Sequence, residues 1–213
     1  MVDIPRKKKA ATPKPYHHGN LVETLIAVTV EIIEERGVEH VSVREAAKRA
    51  GVSPGAPFQH FRSKTALLTA VAEQAMGRLI EAIAEAQSKV EADNPIAAFE
   101  AIGRGYLQWA LANPTHFEII NSRTLIDFES SDILRDQYDS IRSRMIELLT
   151  QARRQGQIAK HIDLNHLVLA ARSLVYGLAR TAIDGHLPQW HISEAPGLAV
   201  QKSLRLFMKQ MTT

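Results

Sequence analysis

The chain has 213 residues, of which 45% are hydrophobic and 23% charged, a composition typical of a globular protein with its own core. It contains no cysteine, which excludes disulfides and cysteine-bound zinc. No apolar run reaches the about 18 residues of a membrane-spanning helix, and the basic start lacks the apolar segment of a secretory signal. We therefore expect a cytoplasmic protein.

The charge is spread unevenly along the chain, although the net charge is only +3. Residues 1–65 contain 11 Lys or Arg against 7 Asp or Glu, whereas the remainder contains 15 against 16. A basic N-terminal part is typical of a protein that binds a polyanion, and it also fits a solvated face with a disordered tail. Residues 1–17 are basic and carry three prolines, which predicts a flexible arm.

Two helices with clear end signals are predicted after this arm. The first begins near Asn20, repeats apolar residues at helical spacing, and ends at Gly37. The second begins at Ser42, which forms a capping-box pattern with Glu45. It ends at Gly51, since glycine suits the left-handed conformation that follows a helix.

The segment GVSPGAPFQHF at 51–61 predicts a tight turn and a further short helix from Ser53. Pro54 suits the first helical position, because the N–H that it lacks would have no partner there. Pro57 would be the fourth helical residue, where a proline removes a hydrogen bond. Either the first turn is distorted or regular helix begins only at Pro57.

Two short helices joined by a glycine-containing turn are the pattern of a helix-turn-helix. In such a unit the second helix enters the DNA major groove and the first lies against the DNA backbone. Ala46, Ala47 and Ala50 are small enough to let the two helices approach closely. Gly55 has no side chain to keep the backbone away from DNA. The helix breakers and the basic residues around them therefore predict a DNA-binding unit.

The rest of the chain shows helical periodicity and no convincing strand. The predicted helices are 63–91, 96–112, 115–121, 131–155, 163–185 and 193–210. The fold class is therefore all-α, with roughly nine helices. After the arm, we assign a three-helix DNA-binding domain to residues 18–66 and a helical ligand-binding and dimerisation domain to residues 67–213.

Residues 41–68, VSVREAAKRAGVSPGAPFQHFRSKTALL, resemble the DNA-binding signature of tetracycline-repressor-like (TetR) regulators. The segment YHHGNL at 16–21 and the letters SPGAP are similar to one branch of that family, whose C-terminal domain carries a Trp-His-Gly motif. The comparable place here reads VYG at 175–177, so that only the glycine is kept. The specific resemblance covers about residues 16–70, and beyond it only helical pattern and length agree.

The resemblance implies two sets of DNA-binding residues. Those expected at phosphates are Ser42, Arg44, His60 and Lys64. Those expected on the reading helix are Ser53, Gly55, Ala56, Pro57, Phe58 and Gln59. Gln59 can pair with the edge of an adenine. Phe58 stands where most members have a phosphate-binding tyrosine, so that contact should be missing, and Phe61 is expected to be a buried staple between helices.

An effector site is expected around the helix at 96–112. The candidate ligand-binding residues are Phe99, Tyr106, Trp109, His116, Phe117, Asn121, Tyr176 and Arg180. Tyr106 and Trp109 are three residues apart and share a helical face. An apolar pocket with a few polar groups is what a small molecule needs, although aromatic residues at helical spacing are also typical of a plain core.

The leading hypothesis is a ligand-responsive transcriptional regulator, a repressor that binds a near-palindromic double-stranded DNA operator as a homodimer. A small apolar or amphipathic effector would release it. The helices at 163–185 and 193–210 are expected to form the dimer interface, with Leu167, Leu174, Leu178, Leu204 and Phe207 as candidate contacts. The alternatives are a sequence-neutral architectural DNA-binding protein without effector and an all-α enzyme.

We expect no enzymatic activity, no cofactor and no metal site. The sequence has no nucleophile elbow, phosphate-binding loop or dinucleotide-binding glycine motif. His161 and His166 are five residues apart, which does not place them on one helical face.

Overall fold

The computed structural model describes residues 21–91 and 93–212, and eight α-helices account for most of them. They are α1 (Leu21–Arg36), α2 (Val43–Ala50), α3 (Lys64–Ser88), α4 (Pro95–Ala112), α5 (Pro114–Asn121), α6 (Asp132–Arg154), α7 (Leu164–Ile183) and α8 (Pro196–Met211). Short 3-10 helices lie at Val38–His40, Ala56–Gln59 and Leu187–Trp190. These ranges contain no strand, and the all-α prediction is confirmed.

The helix ends follow the predicted start and stop signals. From residue 63 onward, each predicted helix is present with its ends within about three residues of the predicted position. The remaining short helix, expected after Ser53, is the 3-10 helix Ala56–Gln59 and not an α-helix. The basic arm and the proposed Asn20 cap lie outside the described residues.

The N-terminal unit has a small core enclosed by α1, α2, the start of α3 and residues 53–61, which we call the reading segment. Leu25 and Ile32 of α1 are fully buried in it, and Ala46 of α2 is also fully buried. Phe61 closes the unit from the reading segment and is 6% exposed. The close packing predicted from small alanines and the buried Phe61 are therefore both confirmed.

The C-terminal part is organised around α4, which packs against α3, α6, α7 and α8. Gly105 permits the close approach of α4 to α3, because a Cβ there would lie 2.9 Å from the Cα of Ile83. Gly103, on another side of α4, faces Leu204 and Val175 at 3.2–3.3 Å. These two glycines let α4 pack closely against α3 on one side and against α7 and α8 on the other.

The two parts of the molecule share α3 and one continuous hydrophobic core. The predicted boundary between residues 66 and 67 falls in the first turn of α3, and the helix continues without interruption to Ser88. The short helix α5 packs against both α1 and α3, so it also connects the two parts. None of the described helices is long and apolar enough to cross a membrane.

Candidate DNA interface and ligand cavity

Helix α2, the first helix of the helix-turn-helix, is held at both ends by local hydrogen bonds. The Ser42 hydroxyl accepts from the Glu45 backbone N–H at 3.1 Å, as a helix cap should. The Glu45 carboxylate does not complete a reciprocal capping box and instead pairs with Arg36 at 3.1 Å. Gly51 has φ 70° and ψ 27°, and its N–H donates to the Ala47 and Lys48 carbonyls. The turn predicted at Gly51 is thus present.

The reading segment is a tight 3-10 helix whose first turn is distorted by its prolines. The Ala56 N–H donates to the Ser53 carbonyl at 3.1 Å, and the His60 N–H donates to the Pro57 carbonyl at 2.9 Å. Pro57 has no N–H and cannot contribute the bond that an α-helix would need at this position. Of the two possibilities left open by the sequence, the structure shows the distorted turn.

Most residues of this segment are exposed, and only some of them are polar. Ser53, Gly55, Gln59 and His60 are exposed, and Phe58 is 42% exposed. Pro57 is buried, so its ring packs into the domain and has no free surface for a DNA contact. The role predicted for Pro57 on the reading surface is therefore replaced by a packing role.

Some basic residues of the N-terminal unit are already bonded to other groups of the protein, which leaves them less available to DNA. Arg49 binds Glu31 at 3.1 Å and also Glu35, and these partners raise the pKa of Arg49 while the arginine lowers that of Glu35. The Lys64 ammonium donates to the Val38 carbonyl at 2.5 Å, which leaves two of its three N–H groups for another acceptor.

Three basic residues near the reading segment remain exposed and form no ion pair within the part of the chain that the structure describes: Arg44, Lys48 and Arg62. Arg44 was predicted as a phosphate contact, whereas Lys48 and Arg62 were not. Their position beside the turn was the only sequence signal that could have identified them. Free cations beside a helix-turn-helix are suited to phosphates.

A cavity of about 310 Å³ lies in the C-terminal part, enclosed by side chains from all six helices α3 to α8. Most of its lining is apolar, including Leu79, Ile102, Met145, Val168 and Val175. Its volume is within the range of small-molecule sites, which are largely apolar with a few polar groups.

The structure brings three of the predicted ligand-binding residues to this cavity: Phe99, Tyr106 and Asn121. The other five do not line it. Trp109 and His116 are buried elsewhere, at 6% and 8% exposure. Arg180 pairs on the surface with Glu118 and Asp184.

Phe117 and Tyr176 do not line the cavity. They form an aromatic layer behind Tyr106. The rings of Tyr106 and Phe117 meet edge to face at 6.4 Å, and Phe117 stacks on Tyr176 at 5.6 Å. The helical spacing had predicted buried aromatics correctly, but it could not separate wall residues from the layer behind them.

Beside Tyr106 and Asn121, further polar groups at the cavity come from residues that were not predicted from the sequence. Arg172 of α7 donates to the Asn121 side-chain oxygen at 3.0 Å, and its guanidinium lies 5.3 Å from the Tyr176 ring centre. Arg142 of α6 donates to the Asn165 side-chain oxygen at 2.7 Å. These residues lie far apart in sequence and carry no motif, so no local pattern could have identified them.

The Tyr106 hydroxyl is buried at this polar side. Burial raises the pKa of Tyr106 to about 12, against the opposing influence of Arg172 and Asn121, so the phenol is neutral near neutral pH. Asn121 lies near enough to lower the pKa of Tyr106 as a hydrogen-bond partner would, but the Tyr106 hydroxyl forms no hydrogen bond of acceptable geometry among the described residues. A buried hydroxyl without a partner is unfavourable, so this atom is suited to a bound molecule or water.

Two family profiles match the chain over most of its length. "Bacterial regulatory proteins, tetR family" matches residues 25–71, and "Tetracyclin repressor-like, C-terminal domain" matches residues 99–204. The first range contains the helix-turn-helix and the second contains most of the cavity wall. The chain therefore belongs to the TetR family of transcriptional regulators.

Individual relatives agree with this assignment. The fatty acid metabolism regulator protein of Bacillus subtilis (strain 168) is 26% identical over 175 residues, 80% of this chain and 83% of that protein. The HTH-type transcriptional regulator BetI of Yersinia pestis (strain Pestoides F) is 34% identical over 83 residues, 39% of this chain and 42% of that protein. A solved structure of a protein with unknown function from Rhodococcus sp. RHA1 is 27% identical, with a TM-score of 0.77, and covers 94% of this chain and 100% of that chain.

The matched domains and the named relatives are regulators and not enzymes. The chain is thus a DNA-binding transcriptional regulator with the fold of a ligand-responsive repressor, and the enzyme alternative has no support. Its membership of the branch with a Trp-His-Gly motif stays a prediction.

Proposed function

We propose that this regulator is a repressor that binds a near-palindromic operator as a homodimer and leaves it when a small apolar or amphipathic molecule occupies the cavity. The main support for this proposal is the cavity of about 310 Å³, which is largely apolar and lined by residues of α3 to α8. A purely architectural DNA-binding protein would need no such cavity. The name of the Bacillus subtilis relative, a fatty acid metabolism regulator, is consistent with an apolar effector.

Coupling between the cavity and DNA would run through α5. Its residues Ile120 and Asn121 line the cavity, and the same helix packs against α1 of the DNA-binding unit. An effector can release DNA only when it binds better to the arrangement that does not fit DNA. A coupling free energy of about 1–3 kcal/mol would change DNA affinity by about 5–150-fold.

The test of this function begins with selection of bound sequences from random DNA, followed by titration of the selected operator with candidate apolar molecules. Ala171→Phe fills the cavity, because Ala171 is a buried wall residue far from the reading segment. This variant should still bind the operator but should no longer be released. Release of the variant by the same molecule at the same concentration would place the effector site elsewhere.

The selected sequence also tests the reading surface. We propose that Gln59 contacts a base, since it is exposed in the 3-10 helix and can pair with adenine. Gln59→Ala should change the preferred base at one symmetric pair of positions. An unchanged consensus would remove Gln59 from the residues that read the operator.

We propose that α7 and α8 form the dimer interface. Leu169 of α7 and Leu198 and Leu206 of α8 are 48–61% exposed, and exposed leucines on adjacent helices are typical of an interface. Of the contacts expected from the sequence, Leu204 and Phe207 line the cavity, while Leu167, Leu174 and Leu178 are half-buried.

The oligomeric state can be measured by sedimentation with matched variants. Leu206→Arg should give monomers or aggregates, because the partner surface would have to bury an unpaired charge. Ile133→Arg is the control, since Ile133 is similarly exposed but lies at the start of α6. Equal dimer dissociation constants for the two variants would exclude this interface.

A further inference from the structure

The polar side of the cavity has a net positive charge, and its arginines form no ion pair with a carboxylate of the described residues. Arg172 and Arg142 both contribute to the cavity wall, and Asp139 is the only acidic residue among the described residues that line it. No carboxylate within residues 21–91 or 93–212 lies in ion-pair distance of either arginine. Arg172 is half-buried, whereas Arg142 and Asp139 are exposed at the cavity mouth.

The contacts of Arg172 hold its guanidinium in place without neutralising it. Asn121 presents its side-chain oxygen to Arg172, because its amide nitrogen is already bonded to the Phe117 carbonyl at 2.8 Å. The guanidinium carbon lies 5.3 Å from the centre of the Tyr176 ring. Arg172 also lies close enough to the Tyr138 hydroxyl to lower the pKa of that phenol as a hydrogen-bond donor. All three partners are neutral, and an arginine has five N–H donors, so the charge of Arg172 and some of its donors remain available.

Two tyrosine hydroxyls lie on the same side of the cavity. The Tyr138 hydroxyl donates to the Ile120 carbonyl at 3.1 Å and can accept from Arg172. The Tyr106 side chain is 9% exposed, and its hydroxyl has no hydrogen-bond partner among the described residues. A neutral phenol can donate to an oxygen anion, and a guanidinium binds a carboxylate with two parallel hydrogen bonds.

We propose that the effector is a free carboxylic acid with an apolar chain, whose carboxylate binds Arg172 and the Tyr106 hydroxyl while the chain fills the apolar part of the cavity. This inference rests on the proposed function, since it names the chemical class of the cavity ligand. Away from the polar side, wall residues such as Leu79, Ile102 and Met208 offer apolar surface to the chain.

The test is calorimetric titration of the protein without DNA. The probes are straight-chain acids from octanoate to hexadecanoate, the alcohol matched to the best acid, and its coenzyme A thioester. The acid should bind at least about 10-fold more tightly than the alcohol, as expected for a charge-assisted hydrogen-bonded pair. Absence of binding by every acid, equal binding of acid and alcohol, or tighter binding of the thioester would overturn the proposal.

Matched variants locate the charge that recognises the acid. Arg172→Gln should weaken acid binding by about 10–100-fold and change alcohol binding by less than about 3-fold. Arg154→Gln removes the same charge from the exposed end of α6, outside the cavity, and should change neither affinity. An Arg172→Gln protein that loses acid and alcohol binding equally would show that Arg172 only shapes the site.

A second variant covers the possibility that Arg172→Gln unfolds. Arg172→Lys keeps the positive charge but loses the two-pronged geometry, so it should retain part of the preference for the acid. A folded Arg172→Lys protein without any preference for acid over alcohol would also contradict the proposal.

Operator release is measured separately, so that the two proposals can fail independently. Acids that bind through Arg172 but leave the operator bound would refute the effector function and keep the carboxylate site. Neutral apolar molecules that release the operator, while acids do not bind, would keep the effector function and refute the carboxylate site.

Discussion

The DNA-binding unit and the ligand cavity are held together by different kinds of contact. In the reading region, Ser42 caps the helix that starts beside it, and the turn bonds at Gly51 and Pro57 join residues at most five positions apart. In the cavity, Arg172 is bonded to Asn121, which is 51 residues away, and the wall is drawn from six helices.

This difference predicts how each region responds to substitution. The reading segment exposes most of its side chains, so changes there should alter DNA binding and leave the fold intact. The cavity region depends on helices that approach closely, so small changes in side-chain volume should alter stability.

The largest effect is expected at Gly105, where α4 meets α3. An added methyl group would lie 2.9 Å from the Ile83 Cα and 3.0 Å from the Ala82 carbonyl oxygen, and this backbone cannot move easily. Gly105→Ala should therefore lower the free energy of unfolding by about 1–3 kcal/mol, measured by urea denaturation, although alanine is the better helix former.

The matched control is Gly77→Ala in α3. There the added methyl would be 3.7 Å from the nearest atom, of Gln137, which is an ordinary contact. This variant should gain about 0.5–1 kcal/mol from helix propensity alone. Equal changes at the two glycines would show that the helices are not packed as closely as described.

The local character of the reading region also explains which features could be predicted from sequence. Ser42 and Gly51 were predicted because a cap and a left-handed glycine are each evident from a few neighbouring residues, whereas the buried Phe61 was implied by the family resemblance. The consequence of Pro57 remained open, because local rules allow either a distorted turn or a delayed helix.

The cavity wall was predicted only in part, for a physical reason. Periodicity identifies which face of α4 is buried, but it does not say where neighbouring helices leave space. Of the aromatic residues predicted on α4, Phe99 and Tyr106 therefore line the cavity and Trp109 does not. Arg172 was missed because its importance depends on Asn121, brought close only by the tertiary fold.

A smaller effect, on DNA binding alone, is expected at Arg44. This side chain is exposed on α2 and forms no ion pair within the described ranges, so it can approach a phosphate. Arg44→Ala should weaken specific and non-specific DNA binding alike and reduce the slope of log affinity against log salt by about 1. Arg49→Ala is a useful comparison, because Glu31 and Glu35 already occupy that arginine. A larger loss of slope for Arg49→Ala would reverse the assignment.

An even smaller effect on stability is expected at Gly55, in the turn before the 3-10 helix. Its φ of −86° is accessible to any residue, and a Cβ there would meet no atom within 4 Å. Gly55→Ala should change the free energy of unfolding by less than about 0.5 kcal/mol. It should nevertheless weaken operator binding if the backbone approaches DNA closely, and thermal unfolding with operator titration measures both. Destabilisation without loss of DNA affinity would contradict the view that this region is separable from the fold.

The smallest effect concerns His116 in α5, where the two regions meet. Its side chain is 8% exposed, and its Nε2 atom has no hydrogen-bond partner within the described residues. Burial lowers the pKa of His116, Arg78 lowers it further, and Glu34 partly opposes them. The unfolded chain therefore binds this proton at a higher pH than the folded protein does.

The sign of the pH dependence follows from that order. The protonation of His116 does not change stability above the ordinary histidine pKa of about 6.5, and stability is lost as pH falls from there through the lower folded-state pKa. Urea denaturation at about pH 7.5 and about pH 5.5 should show a smaller loss for His116→Gln than for the unsubstituted protein, because glutamine does not titrate. His186→Gln is the control, since His186 is exposed. If the two variants show the same pH dependence, His116 is not held neutral between α5 and the DNA-binding unit, and the contact that connects the two regions is looser than described.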